Sequence, residues 1–165
     1  MLCLLFCIKK RILLIISLER GEKMNDTEKL LRECNSGIKM GVASINHVMP
    51  YVKSKELLNA LNSCKDKHAV LGDETHAALV NANLDTKNVH PVAKIMADLS
   101  TRMKITVHKS DNEIASIMTD GCNMGIKSLY KYLNQYEHAD KRSKDITNRL
   151  ISIEQELRTD MRPFL

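Results

Sequence analysis

The sequence has no Trp and is poor in the residues on which β-proteins depend. It contains two Phe, four Tyr, three Pro and six Gly among 165 residues. Because strands favour aromatic residues and all-β folds need many tight turns, these numbers argue against an all-β protein. Apolar residues make up 44% of the chain, more than a disordered chain would contain. Leu, Ile, Met, Ala, Lys and Glu dominate and favour helices, and the length predicts one domain.

The chain also lacks the short motifs of several large enzyme classes. It has no Walker loop, no GxGxxG, no GxSxG and no HExxH, and no Ser or Cys lies in a local triad signature. The five Cys include no CxxC pair, which favours reduced thiols in a cytoplasmic protein. We therefore expect a protein that is not an enzyme, with no catalytic residues and no bound cofactor.

Residues 1–23 differ from the rest of the chain. Two apolar runs flank Lys9-Lys10-Arg11, and neither approaches the roughly 18 residues of a membrane span. The peptide from Glu19 to Met24 can be encoded by purine-only codons that resemble a bacterial ribosome-binding site followed by ATG. We therefore expect Met24 to be the start and residues 1–23 to be translated upstream sequence, with a weak membrane anchor as the alternative. Without them the formal net charge falls from +5 to +2, which gives no electrostatic case for nucleic-acid binding.

Residues 24–165 are expected to form a single domain of four helices. Apolar periodicity and breakers predict helices over about 26–48, 54–81 and 140–161, with Pro50 and Pro163 ending the first and last. The residues from Asn81 to Asn88 are interpreted as a loop. The third element is either one helix over about 92–136, which we favour with a kink, or two helices broken near 108–112. An antiparallel four-helix bundle would bury the stripes of all four helices.

Two segments carry a resemblance to a known family. They are His68-Ala-Val-Leu-Gly-Asp-Glu-Thr-His76 and Asp120-Gly-Cys-Asn-Met-Gly-Ile-Lys-Ser-Leu-Tyr130. With the helix order and the long second and third helices, they resemble the ferritin-like superfamily, and most nearly its small uncharacterised bacterial bundle proteins. The resemblance covers most of residues 24–160. It implies an antiparallel ferritin-like bundle whose core holds metal in the working members of the family.

The resemblance also implies where metal ligands would lie. Working members use a Glu from each of two helices and a Glu-x-x-His from each of the other two. The matching positions are Asp73, His76, Asp120 and Glu154, and His68 lies on the same helix as the first two. Together these five candidate ligands give a degenerate or mononuclear site for iron or another divalent metal. The first helix has no central Glu, and Leu157 replaces the last His. A complete di-iron centre is therefore not expected.

Simpler interpretations stand beside the metal site. His68 in an apolar stripe is also typical of a hydrogen-bonded core histidine, and Asp73 with His76 is typical of a solvated helix face. Cys64 and Cys122 are typical packing residues. Gly121 and Gly125 cost helix stability and suggest a close helix approach or a groove, and Tyr130, Tyr132 and Tyr136 form a patch suited to capping the core or to a homodimer contact.

A phosphotransfer bundle is a further alternative. Its motif resembles His-x-x-Lys-Gly, but Leu71 replaces the Lys between His68 and Gly72. The reading we favour is a cytoplasmic binding or structural bundle, self-associating as a homodimer, with no nucleic-acid partner and no membrane partner unless residues 1–23 form an anchor. Metal storage or stress protection is the first alternative, and phosphotransfer is the second.

Overall fold

The computed structural model describes residues 25–82 and 110–165, which fold into four α-helices without a strand. The helices are α1 (Asp26–Val48), α2 (Lys55–Asn81), α3 (Asp111–Gln135) and α4 (Lys141–Met161). Short 3-10 turns follow α1 at Met49–Tyr51 and α4 at Arg162–Phe164. The prediction of an all-α chain with four helices is confirmed for these residues.

Some predictions fall outside the described part of the chain. These are the assignment of residues 1–23, nearly all of the loop at 81–88, and the proposed start of the third element near residue 92. Within the described residues, no helix has both the length and the apolar character that crossing a bilayer requires.

The helix starts follow from side-chain capping. Asn25, Ser54, Ser110 and Asp140 each have extended backbone and accept a hydrogen bond from a backbone N–H three residues later. At Ser110 the Glu113 side chain also accepts from the cap backbone, which completes a capping box. The backbone is extended at Ser110, and α3 begins at the next residue.

Contacts at the helix ends fix the helix directions. The Asp111 carboxylate accepts hydrogen bonds of 2.8 Å from the backbone N–H groups of both Lys53 and Ser54, so α2 and α3 begin at the same end. At the opposite end, the Thr27 hydroxyl accepts from the backbone N–H of Asp140, so α1 and α4 begin together. Thus α1 and α4 run in one direction and α2 and α3 in the other. Residues 82 and 110 consequently lie at opposite ends of the bundle.

The helices pack as two hairpins placed against each other. α1 packs mainly on α2 and α3 mainly on α4, while α4 also contacts both α2 and α1. The contact between α1 and α3 is the smallest of the main interfaces, and α2 and α3 scarcely meet. The bundle is therefore most open between α1 and α3.

Most of the core lies in two large apolar clusters, one toward each end of the bundle, and a small third cluster contains Leu30, Tyr136 and Ala139. The first contains Ile45, Val48, Leu57, Leu61, Cys64, Ile114, Ala115, Met118, Cys122, Leu157 and Met161. The second contains Leu31, Cys34, Ile38, Leu71, Ala78, Leu79, Ile126, Leu129, Ile146, Leu150 and Ile151. Along α2 the position between the clusters is His68, and along α4 it is Glu154, so a polar pair separates the two halves of the core.

The apolar stripe predicted for α3 is correct at its two ends and shifted by one position between them. The residues that α3 buries are Ile114, Ala115, Met118, Cys122, Ile126 and Leu129. The stripe that periodicity predicts runs through Ile114, Ile117, Gly121, Gly125, Ser128, Tyr132 and Tyr136. It agrees with the structure at Ile114 and Tyr136, which are buried, but Gly121 is exposed. A similar shift makes Leu57 rather than Leu58 the buried residue early in α2. The small residues of α3 thus face away from the core centre.

Candidate functional site

The centre of the bundle holds a buried imidazole–carboxylate pair. His68 on α2 is 0% exposed, and its Nε2 lies 3.1 Å from Oε1 of Glu154 on α4. The other ring nitrogen, Nδ1, lies 3.0 Å from the backbone carbonyl oxygen of Cys64, one helical turn earlier. Both nitrogens of the ring are therefore fixed by protein groups.

The carbonyl contact determines where the protons lie. A carbonyl oxygen only accepts hydrogen bonds, so Nδ1 of His68 must carry a proton and donate it to Cys64. The contact between Nε2 and Glu154 then contains one further proton, held by either the ring or the carboxyl group. The pair is thus either an imidazolium with a carboxylate or a neutral imidazole with a carboxylic acid.

The surroundings of His68 favour the charged form. Burial by itself lowers the pKa of the imidazole, but the hydrogen bonds with Cys64 and Glu154 outweigh it and raise the pKa of His68 to about 10. At neutral pH the pair is therefore an imidazolium–carboxylate ion pair. A buried pair of this kind adds little net stability. Removal of one partner leaves the other charge buried without a counter-charge, which typically lowers the free energy of unfolding by about 3–5 kcal/mol.

Two buried thiols adjoin this pair. The Cys64 Sγ is 3.4 Å from Nδ1 of His68, and the Cys122 thiol of α3 hydrogen-bonds with the Glu154 carboxylate. Burial and the neighbouring carboxylate raise the pKa of Cys122 far above its ordinary value. Since the thiolate is the reactive form, this environment makes Cys122 a hydrogen-bond donor and not a nucleophile.

An elongated cavity runs between α1 and α3 and reaches the ion pair. Its volume is about 360 Å³. Along α1 its lining extends from Glu33 to Ile45, which at a rise of about 1.5 Å per residue corresponds to about 18 Å. The walls are mainly apolar or small residues of the two helices: Gly37, Met40, Gly41, Ser44, Ile117, Met118, Gly121, Met124, Gly125, Ser128 and Leu129.

Polar groups occupy two levels of this cavity. The His68–Glu154 pair, with Cys122, lies near the middle of the α1 lining, at the level of Gly41. The second level is at Glu33, whose buried carboxylate accepts a hydrogen bond from the Tyr132 hydroxyl. Burial and this carboxylate raise the pKa of Tyr132 to about 12, so the phenol keeps its proton at neutral pH.

The predicted metal ligands are only partly brought together. Two of the five, His68 and Glu154, are in contact, whereas Asp73, His76 and Asp120 are on exposed parts of the surface. Within residues 25–82 and 110–165, no three His, Cys, Asp or Glu side chains are arranged to hold a metal ion. The metal site stays a prediction, with His68 and Glu154 as its two associated residues.

Sequence reasoning missed part of the cavity. The sequence analysis did not pair Glu33 with Tyr132, because a Glu within an amphipathic helix resembles a solvated side chain. Their positions carry one signal in retrospect, since Glu33, Gly37 and Gly41 follow one another at a spacing of four along α1. Small residues on a helix face allow either a close approach of another helix or a cavity, and here they line the cavity.

Three comparisons of the chain, with protein-family models, with curated proteins and with solved structures, found no match. The chemistry of the described residues therefore carries the functional conclusion.

Proposed function

We propose that this protein is a non-catalytic, ferritin-like helical bundle that binds a small, mainly apolar molecule in the cavity between α1 and α3. The observation that carries the proposal is the cavity itself, which is elongated, largely apolar and equipped with a few fixed polar groups. Binding sites for small molecules typically combine a volume of about 300–1,000 Å³ with few, well-placed polar side chains. The cavity meets both conditions.

The helix directions support the ferritin-like part of the proposal. Ferritin-like bundles have one long crossover connection, whereas simple up-and-down bundles have short loops throughout. Here α2 and α3 run parallel, and residues 82 and 110 lie at opposite ends, as a crossover between the second and third helices requires.

The chemistry of the polar groups supports binding in preference to catalysis. Both nitrogens of His68 are engaged by protein groups, so neither is oriented toward the cavity as a general base. The Cys122 thiol is held protonated. The same engagement of the ring disfavours phosphotransfer, because that reaction needs an exposed histidine nitrogen.

A cavity-filling variant tests the proposal. A Cβ atom at Gly121 would meet no atom within 4 Å, so Gly121→Leu places an isobutyl group in the cavity without a clash at Cβ. Loss of the helix penalty of Gly also favours folding by about 1 kcal/mol. We expect the wild-type protein to bind octanol in calorimetric titration, and Gly121→Leu to remain folded but lose this binding.

Ser116→Leu is the matched control. Ser116 lies on the same helix and is exposed, but it does not line the cavity. We expect this variant to bind octanol as the wild type does. Absence of saturable octanol binding to the wild type, or equal binding by Gly121→Leu, would contradict the proposed function.

Metal storage is a second candidate, because the structure does bring His68 and Glu154 together. Elemental analysis of protein purified without chelator tests it, with His76→Ala and His68→Ala compared. Stoichiometric metal lost in either variant would support the metal function. Less than roughly a tenth of an equivalent of metal in the wild-type protein would contradict the metal function.

A further inference from the structure

We infer that the ligand of the α1–α3 cavity is an organic monocation, an aliphatic ammonium whose head binds Glu154 in the space beside Gly125 and whose apolar chain lies along the cavity. This inference rests on the proposed binding function and adds the chemical class of the ligand. The orientation of Glu154, the charges of the lining and the apolar walls of the cavity support it.

The two oxygens of Glu154 have different surroundings. Oε1 accepts the hydrogen bond from His68. Oε2 lies toward α3, 3.7 Å from the position that a Cβ atom on Gly125 would occupy. Because Gly125 has no side chain and lines the cavity, that face of Oε2 is accessible from the cavity. A ligand N–H group can therefore reach the carboxylate there, beside the thiol of Cys122.

The charges of the lining favour a cation over an anion. The residues named in the lining include two carboxylates, Glu33 and Glu154, one imidazolium, His68, and no Lys or Arg among the part of the chain that the structure describes. These three residues carry one net negative charge, which one positive charge on the ligand balances. A carboxylate on the ligand would instead add a third negative charge to a poorly solvated site, which is costly.

The shape of the cavity indicates the rest of the molecule. The lining follows α1 for about 18 Å and is mainly apolar, which suits an extended aliphatic chain that lies along the helix. The Met40, Met118 and Met124 side chains are flexible apolar walls that adapt to such a chain. Gly121 leaves the cavity wall open next to the head-group position.

Three probes with the same chain and different charge test the inference: octylammonium, octanol and octanoate. At pH 7 an alkyl amine is protonated and octanoate is ionised. We expect octylammonium to bind about tenfold or more tightly than octanol in calorimetric titration, since a hydrogen bond to a charged group is worth about one decade in affinity. Octanoate should bind most weakly of the three.

Two alanine variants on α3 localise the head group. In Gly125→Ala the new methyl group lies in van der Waals contact with Oε2 of Glu154 and covers it. Ser116→Ala is the control, because Ser116 is exposed and does not line the cavity. Both changes place Ala, a strong helix former, within a helix and should leave the protein folded. We expect Gly125→Ala to remove most of the preference for octylammonium over octanol, and Ser116→Ala to keep it.

The outcomes separate this inference from the proposed function. Binding of octanol without a preference for octylammonium would overturn the inference and leave the binding function intact. Tightest binding of octanoate would also overturn it and would identify His68 as the attracting group. Binding of none of the three probes would overturn the proposed function itself. An equal loss of preference in both alanine variants would show that the head group does not bind beside Gly125.

Discussion

Gly41 of α1 lies directly against the imidazole of His68 on α2. A Cβ atom at Gly41 would come within 2.7 Å of Nε2 of His68, closer than real Cβ atoms approach, and would lie 3.0 Å from Cδ2. The same nitrogen donates to Glu154, so a side chain at Gly41 would compete with the ion pair. A helical Gly at this position is therefore required by the contact between the two helices, despite its cost to the helix.

The first prediction concerns identical substitutions at two glycines. Gly41→Ala forces His68 to move and should lower the free energy of unfolding by about 1–3 kcal/mol, the usual cost of overpacking. Gly121→Ala adds a methyl group in open space and should raise it by up to about 1 kcal/mol. Urea denaturation of both variants measures the difference.

A double-mutant cycle of Gly41→Ala with His68→Ala should show coupling, because the second change removes the atoms that clash. Additive effects would contradict the contact.

The helix limits could be predicted from sequence because they depend on local chemistry. Asn25, Ser54 and Asp140 are capping residues followed by periodic apolar residues, and Pro50 prevents continuation of α1. Each signal acts within one turn of helix, so no knowledge of the packing is needed. A break near 108–112 was one of two interpretations of the third element, although one kinked helix over about 92–136 was favoured; the backbone at Ser110 is extended.

The candidate site could be predicted only in part, because it depends on which helices meet. The alignment of Gly121, Gly125 and Ser128 was interpreted as part of a core stripe, although a groove was anticipated at the two glycines. Small residues on a helix face allow either a close approach or a cavity, and the sequence of α3 does not say how far away α1 lies. The contact of His68 with Glu154 likewise depends on the register of α2 against α4.

The second prediction is a pH dependence that originates from His68. Its pKa is about 10 in the folded protein and about 6.5 in an unfolded chain. Between these values the unfolded state loses the proton while the folded state retains it. The contribution of the ion pair to stability is therefore complete below pH 6.5 and declines as pH rises, by at most about 1.4 kcal/mol per pH unit.

Measurement between pH 6.5 and 8.5 isolates this contribution. Burial also raises the pKa values of the Cys34 and Cys122 thiols. Above pH 8.5 these thiols ionise in the unfolded chain but not in the folded protein, so they lower the free energy of unfolding further. We expect the free energy of unfolding of the wild type to fall across the window relative to that of His68→Gln, in which position 68 does not titrate. Parallel curves for the two proteins would show that His68 is not charged in the folded state.

The third prediction concerns the contact that sets the direction of α3. The Asp111 carboxylate accepts from two backbone N–H groups, at Lys53 and Ser54, and lies in the first turn of α3 where a negative charge is favourable. Asp111→Ala should lower the free energy of unfolding by about 1–3 kcal/mol. Asp66→Ala, at an exposed position within α2, is the control and should change stability by less than about 0.5 kcal/mol. Equal effects in urea denaturation would argue against the link between the two helix starts.

The fourth prediction concerns the reactivity of the thiols in the described helices. Cys34, Cys64 and Cys122 are buried and reduced, and burial raises the pKa of Cys34 to about 12. In a Cys3→Ser, Cys7→Ser variant, which retains only these three thiols, we expect almost no reaction with an aromatic disulfide reagent at pH 8 over minutes. Three equivalents should react in denaturant, because the unfolded thiols ionise near pH 8.5. Since Cys122 also lines the cavity, its slow modification should slow further when octanol is bound. Rapid reaction of any one thiol in the native protein would show that the helices open more readily than their core contacts imply.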